Sequence, residues 1–311
     1  MEFNHISVLL EESIEMLKVK PSGTYADGTL GGGGHSSLIC SRLSKDGTLI
    51  GIDRDETALL AATERLKGYE CQKKLCHDNF FNIKNVVERL GIDGLDGAIL
   101  DLGVSSPQLD IAERGFSYNM CGALDMRMDK TAALDAYTVV NTYSEEKLAE
   151  IIFKYGEERY ARRVAGAICK HREIKPIKTT TELSDIIKEA FPPSARYADK
   201  HPAKRTFQAI RVEVNQELEG LDKAVRDFTE SLKRGGRLAI ITFHSLEDRI
   251  VKNTFADMAK GCECPKDFPV CVCGKKPIVK IVTKKPIIAG DAELENNFRA
   301  HSAKLRVIEK L

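Results

Sequence analysis

The sequence predicts an α/β fold: a mostly parallel sheet, an inserted all-α domain and an antiparallel C-terminal edge. Three observations predict it. Over the first hundred residues short apolar runs alternate with stretches of helical spacing, the pattern of right-handed βαβ units. Between 109 and 205 that rhythm stops, and no apolar strand can be found. Near the end of the chain, 278–282 and 304–308 alternate apolar with polar residues, as a hairpin on a sheet edge does.

Composition bounds the rest. A chain of 311 residues suits one large or two medium domains; the pattern divides it into a discontinuous core, 1–108 with 206–311, and an insert, 109–205. An apolar content of 42% is enough for a real core. Lys and Arg number 47 against 46 Asp and Glu, so net charge alone points to no nucleic acid. Glu2, Glu11 and Glu12 stand where a basic leader would, and no signal peptide is expected. No apolar stretch approaches the roughly 20 residues of a membrane span. Nine cysteines, five of them scattered (Cys40, Cys71, Cys76, Cys121, Cys169), suit a reducing cytosol.

In chain order, Val8, Leu9, Ser13, Met16 and Leu17 share one face of a first helix, which Pro21, Ser22 and Gly23 end. His5 and Ser7 precede it, and His5 reads as a surface residue. A short strand then enters Asp27-Gly28-Thr29-Leu30-Gly31-Gly32-Gly33-Gly34-His35, with five glycines in seven residues, and a helix follows to about Leu43. Such a loop lets a ligand lie against bare backbone, and the helix N-terminus behind it favours polar or anionic groups. No Lys follows the glycines, so this is no Walker A loop, and Leu30 stands where the second Gly of G-x-G-x-x-G belongs. The second strand, 48–53, ends in Asp53, about 20 residues past the loop, where a carboxylate can accept both ribose hydroxyls. A nucleoside ligand without a phosphate clamp fits these features, and S-adenosylmethionine is one.

Asp55 is placed to cap a helix carrying Ala58, Leu59, Ala62 and Leu66. A third strand and its exit occupy 74–80, putting Phe80 and Asp78 where an adenine ring would sit; core packing explains Phe80 equally well. A helix with Ile83, Val86, Val87 and Leu90 leads to a fourth strand, 97–102. Ligands of parallel sheets lie at the carboxyl ends of the strands, where Asp27, Asp53, Asp78 and Asp101 all fall.

In the insert, Thr142 with Glu145 and Thr179 with Glu182 have capping-box spacing, each before an amphipathic run. A third helix carries Tyr160, Val164, Ala167 and Ile168. From 159 to 211 there are 13 Lys/Arg against 5 Asp/Glu, a concentrated field that reads as a phosphate-contacting surface more readily than as a solvated face. Residues 205–232 read as one long helix. A fifth strand, 237–244, follows a Gly-Gly turn, and Ser245, with Asp248 at the third position, caps the next helix. Cys262, Cys264, Cys271 and Cys273 then place four thiols within twelve residues, a set that suits tetrahedral zinc. The C-x-C pairs are tighter than the usual metal spacing, so unliganded thiols or a disulfide explain them as well, and no metal is assigned to the site.

The exit of the fourth strand, Asp101-Leu102-Gly103-Val104-Ser105-Ser106-Pro107-Gln108-Leu109-Asp110, narrows the choice. Together with 5–12, 27–35, 53–55, 114–117, 124–129, 155–159, 201–211 and 243–250, it forms a series of runs in which the chain resembles the ribosomal small-subunit methyltransferase H family, also called MraW. The resemblance implies a cytoplasmic enzyme with a class I S-adenosylmethionine-dependent methyltransferase fold, Rossmann-like, carrying a helical insertion. It implies transfer of a methyl group from S-adenosylmethionine to N4 of a cytidine in the decoding region of 16S rRNA. The small ribosomal subunit is then the partner and no membrane is involved; pairing into a homodimer is left open. Carried onto this chain, the cofactor residues are Gly33, Gly34, His35, Asp53, Phe80, Asp101 and Gln108. The cysteine knob departs from the family pattern.

Cytosine's exocyclic amine is conjugated into its ring and is a poor nucleophile. Hydrogen-bond acceptors facing its N–H groups would localise the lone pair on N4. Amino-methyltransferases commonly carry a polar-Pro-Pro-aromatic run after the fourth strand; this chain has Ser105, Ser106 and Pro107, whose carbonyls and hydroxyls are the candidate catalytic acceptors. The base must leave its stack to reach them. Phe116 and Tyr118 are candidates to stack on it, with a place in the insert core equally open, and His244 and Ser245 are secondary candidates. Two other classes stay open. One is a Rossmann-like small-molecule enzyme such as a nucleotide-sugar dehydrogenase, which would need a dinucleotide phosphate site. The other is a non-catalytic RNA-binding ribosome assembly factor with a vestigial cofactor site.

Overall fold

The computed structural model describes residues 7–196, 201–262, 264, 270 and 272–311, apart from the side chains of Ser106 and Pro107. His5 and Cys271 lie outside the described residues. The chain opens with α1 (Leu10–Leu17), β1 (Thr24–Asp27), α2 (Gly34–Arg42), β2 (Thr48–Asp53), α3 (Glu56–Leu66), β3 (Gln72–His77), α4 (Ile83–Arg89) and β4 (Leu95–Asp101). Helices alone follow: α5 (Ser106–Asp110), α6 (Ala136–Thr142), α7 (Glu145–Gly156), α8 (Ala161–Ile174), α9 (Thr180–Ala190), α10 (Pro193–Arg196) and α11 (Ala203–Asn215). The sheet then resumes with α12 (Leu221–Ser231), β5 (Leu232–Thr242), α13 (Ser245–Ala259), β6 (Val279–Ile281), α14 (Asp291–Asn296) and β7 (Lys304–Lys310).

All seven strands join one sheet in the order β3-β2-β1-β4-β5-β7-β6. The first five run parallel, and β7 lies antiparallel between β5 and β6, which makes the expected C-terminal edge. This order is that of the class I methyltransferase fold. Parallel strands are covered on both faces, which is why Leu49, Ile50 and Ile52 of β2 are all fully buried.

The chain forms two compact units, residues 1–103 with 219–311, and residues 104–218. The first is built on the sheet, with Tyr25, Leu49, Ile99, Ala239 and Val307 in its core. The second is all helical around Val139, Ile151, Ile168, Leu183 and Ile210. Among the described residues no helix is long and apolar enough to cross a membrane.

Local chemistry explains where boundaries hold and where they move. Asp55 caps α3 as expected, accepting the Thr57 N–H at 3.1 Å. Thr179 and Glu182 form the expected capping box of α9. Thr142, however, is the last residue of α6, and Ser144 caps α7 by accepting the Lys147 N–H at 3.2 Å. The span 205–232 is two helices: Gln216 turns left-handed (φ 51°) after α11 and Gly220 does so (φ 78°) before α12. The Gly-Gly turn is a bulge inside β5, where the register with β4 slips from Leu95↔Leu232 to Gly97↔Arg237. The cap of α13 is His244, with Glu247 closing its capping box, in place of Ser245 and Asp248.

Candidate functional site

The chain runs outward from β1 to β2 and β3 on one side and from β4 to β5 on the other. The order therefore switches between β1 and β4, and open α/β sheets bind ligands outside the carboxyl ends of the strands at such a switch. Asp27, Asp53 and Asp101 end β1, β2 and β4.

Asp27 is 2% exposed and faces inward. It accepts the Ser36 hydroxyl at 2.7 Å and the Thr29 N–H at 3.1 Å, which ties the loop to α2. Burial raises its carboxyl to about 6, against the lowering effect of those bonds. Asp53 accepts the Gly31 N–H on one oxygen and the Asp55 N–H on the other, both at 2.8 Å. Burial nonetheless raises its pKa, the two N–H bonds only partly offsetting it. Each oxygen keeps a second lone pair for a hydroxyl donor.

Asp101 is the least satisfied of the three. Its main-chain N–H donates to the Thr29 hydroxyl at 2.6 Å. The side chain keeps 26% exposure, yet Oδ1 is enclosed with no hydrogen-bond partner. Burial, followed by the charges of Asp27 and Glu247, pushes its pKa well above the carboxylate range. His35 lies alongside, with Nδ1 at 3.9 Å from Asp101 Oδ2 and Nε2 at 3.1 Å from the Val8 carbonyl. The Val8 carbonyl can only accept, so Nε2 carries the proton of this contact.

The glycine loop is shaped by packing as much as by ligand access. Gly33 precedes α2 with φ 75°, a left-handed conformation that L side chains rarely adopt. A Cβ on Gly34 would stand 1.8 Å from the Ser7 hydroxyl, so that a side chain here would force Ser7 to move. Arg65 holds the loop from outside, donating to the Gly32 carbonyl at 3.0 Å. Phe80 sits in the short turn after β3, 9% exposed, its ring edge-on to Phe81 at 4.5 Å. Asp78 already accepts from Asn79, Asn82 and Arg89. Despite its burial, these bonds hold it below the usual carboxylate range.

Residue Glu247 was not legible as part of this site. It is 2% exposed and accepts the Phe243 and His244 N–H groups at 2.9 and 3.2 Å. The available signal was the His-x-x-Glu spacing of a capping box, obscured because His is an unusual cap.

In the helical unit, the Ser105 N–H donates to Gln108 Oε1 at 3.0 Å, which closes the first turn of α5. Phe116 belongs to the unit's apolar core, with the Arg114 guanidinium 6.0 Å from its ring. Tyr118 stacks on His201 at 4.7 Å and meets Phe207 edge-on at 5.8 Å. Much of the basic block is spent internally. Arg172, Arg196 and Arg205 donate to main-chain carbonyls, Arg211 pairs with Glu217 at 2.8 Å, and Lys175 pairs with Glu182 at 3.3 Å. Arg162, Arg163 and Lys170 of α8 stand exposed.

Comparison with known sequences agrees with this architecture. The family described as MraW methylase family matches residues 2–311. The protein named Ribosomal RNA small subunit methyltransferase H from Brevibacillus brevis is 53% identical over all of this chain and 99% of its own length. Proteins of the same name from Clostridioides difficile and Clostridium botulinum are 53% and 56% identical, each over the full length of both chains. With the sheet order, the acid-ended strands and this end-to-end similarity all in agreement, the chain belongs to the MraW methylase family.

Proposed function

We propose that this protein methylates N4 of a cytidine in the decoding region of 16S rRNA, acting on the small ribosomal subunit. The observation that carries the proposal is the full-length similarity to relatives named for methylation of small-subunit ribosomal RNA. The choice of N4 and of the decoding region rests on the family resemblance of 101–110 and its companion runs.

S-adenosylmethionine is the methyl donor, and when bound it supplies an electrophilic methyl group on a sulfonium. The residues present fit such a ligand. Asp101 lies close enough to Asp27 and Glu247 for their charges to raise its pKa, a repulsion that a cationic ligand would relieve, and Asp101 Oδ1 is enclosed without a partner. In this reading Asp53 accepts the ribose hydroxyls, Phe80 packs on the adenine, and Gly33, Gly34 and His35 form the loop beneath the ligand. Asp101 and Gln108 are further contacts. The acidic cluster holds a cation more strongly than the neutral thioether left after transfer, which favours product exchange.

Ser105, Ser106 and Pro107 are the proposed acceptors for the target amine, and localising its lone pair is their contribution. No buried base is required, because the N4 proton becomes acidic once the nitrogen is alkylated. The insert, 109–205, is the proposed RNA-facing domain, through the exposed cations of α8.

The test is to incubate the protein with labelled cofactor and, separately, naked 16S rRNA, free small subunits and assembled ribosomes, then identify the methylated nucleoside by mass spectrometry. N4-methylcytidine from one of these substrates is expected. Methylation at another atom would overturn the N4 assignment, and cofactor binding with no turnover on any RNA would favour the assembly-factor reading.

A further inference from the structure

We propose that Cys262, Cys264 and Cys273 form a structural zinc site in the long connection between α13 and β6, separate from the methyl-transfer site. The three sulfurs all lie within 4.8 Å of one another. Sγ of Cys262 and Sγ of Cys273 are 3.7 Å apart. A tetrahedral zinc thiolate with Zn–S bonds of about 2.3 Å spaces its sulfurs about 3.8 Å apart, edge to edge. The separation therefore matches two ligands of one ion, whereas a disulfide needs about 2.05 Å.

Main-chain donors are already aimed at these sulfurs. The Cys264 N–H points to Cys262 Sγ at 3.4 Å, and the Val272 N–H points to Cys264 Sγ at 3.3 Å. Such N–H···S contacts spread the charge of metal-bound thiolates and orient the ligands. In sequence, Lys260, Lys275 and Lys276 flank the cluster. A fourth cysteine of the sequence, Cys271, lies outside the described residues.

Among the described residues of the connection, 260–278, none lies in a helix or strand. Burial does not hold it: Val270 and Val272 are 70% and 73% exposed. Its two ends are drawn together, since the Ile278 N–H donates to the Met258 carbonyl at 3.0 Å. A metal at the tip would close the loop that this bond begins.

The experiment is metal analysis of the intact protein purified under reducing conditions and dialysed, with metal-free protein then titrated with cobalt alone. About one zinc per chain is expected, along with intense thiolate-to-cobalt charge-transfer absorption and tetrahedral ligand-field bands. Cys264→Ser should lose the zinc and speed amide exchange in 260–278, whereas Cys121→Ser, an exposed cysteine elsewhere, should keep both unchanged. Three outcomes would overturn the site: no retained zinc and no cobalt spectrum from wild-type protein; thiols at 262, 264 and 273 that react as fast as Cys121; or a Cys262–Cys273 disulfide in protein kept reduced throughout. The wild-type cobalt spectrum decides the matter even if Cys264→Ser fails to fold, and none of these readouts depends on methyl transfer.

Discussion

Replacing Asp53 by Ala should separate cofactor binding from stability, and the structure sets both magnitudes. The carboxylate receives the Gly31 and Asp55 N–H groups, each at 2.8 Å. Without it, the half-buried Gly31 donor and the N–H of Asp55, a residue only 7% exposed, lose their acceptor at a cost of about 1 kcal/mol each, the low end for lost hydrogen bonds. A loss of about 2 kcal/mol corresponds to a fall in Tm of roughly 4–8 °C for a body of 150–250 residues, which leaves the fold intact at 25 °C. In its proposed ribose role Asp53 would also be the charged acceptor of two hydroxyls, worth about 1.5 kcal/mol each at the least. Affinity should then drop on the order of a hundredfold. Asp53→Asn keeps one acceptor oxygen and should fall between, near tenfold. Titration calorimetry with S-adenosylmethionine reads the affinity, and a thermal melt reads the stability. A Tm that falls as expected with unchanged affinity would refute the ribose assignment and leave Asp53 as a loop brace only.

Other perturbations address the remaining parts of the site. Asp27 titrates at about 6 in the folded chain against 3.8 ordinarily, so between those values the folded state holds a proton that the unfolded state has released. Its contribution to stability is therefore greatest below about pH 4 and is lost as pH rises through about 6, by about 3 kcal/mol; Asp27→Asn should flatten that part of the Tm–pH curve. Gly34→Ala drives a methyl into the Ser7 hydroxyl, 1.8 Å away, and should cost about 1–3 kcal/mol; the double variant with Ser7→Ala should recover part of the loss in the same melt, and no recovery would mean that some other contact limits the position. Replacing Arg162, Arg163 and Lys170 together by Ala should lower the salt slope of RNA binding by about one unit per lost phosphate contact while leaving cofactor affinity unchanged; an unaltered slope would make these cations a solvated face.

Most of the sheet was legible because its grammar is local. The limits of β2, the cap at Asp55 and the capping box at Thr179 follow from residues within a turn of one another. The split between α11 and α12 was hidden because Ile210, Val214, Leu218, Leu221, Val225 and Phe228 keep helical spacing straight across it, and the helix ends on a left-handed Gln216 where a glycine would have signalled a stop. The cap at Ser144 lost to Thr142 for the opposite reason, since two acceptors stand two residues apart and only packing chooses between them. Strand-end acids announced Asp53 and Asp101. What sequence could not give is the tertiary company that raises the Asp101 pKa, because Asp27 and Glu247 are remote from it along the chain and meet it only once β1, β4 and β5 are aligned.

The placement of the helical unit has a consequence for how the chain reaches this structure. Neighbouring strands β4 and β5 are separated by about 130 residues of chain, and closing so long a loop from a disordered state costs about 4 kcal/mol of entropy by the logarithmic loop law. The intervening helices close an apolar core of their own, and helical units form in microseconds to milliseconds. A collapsed insert is a much shorter effective tether than an open coil, so its early formation would lower the barrier to pairing Asp101 with Ile241 and the residues before them. The insert would then act as an internal folding catalyst for the sheet. Lesions in its core should first show themselves as slow, aggregation-prone refolding, with β5 left waiting as an unpaired edge.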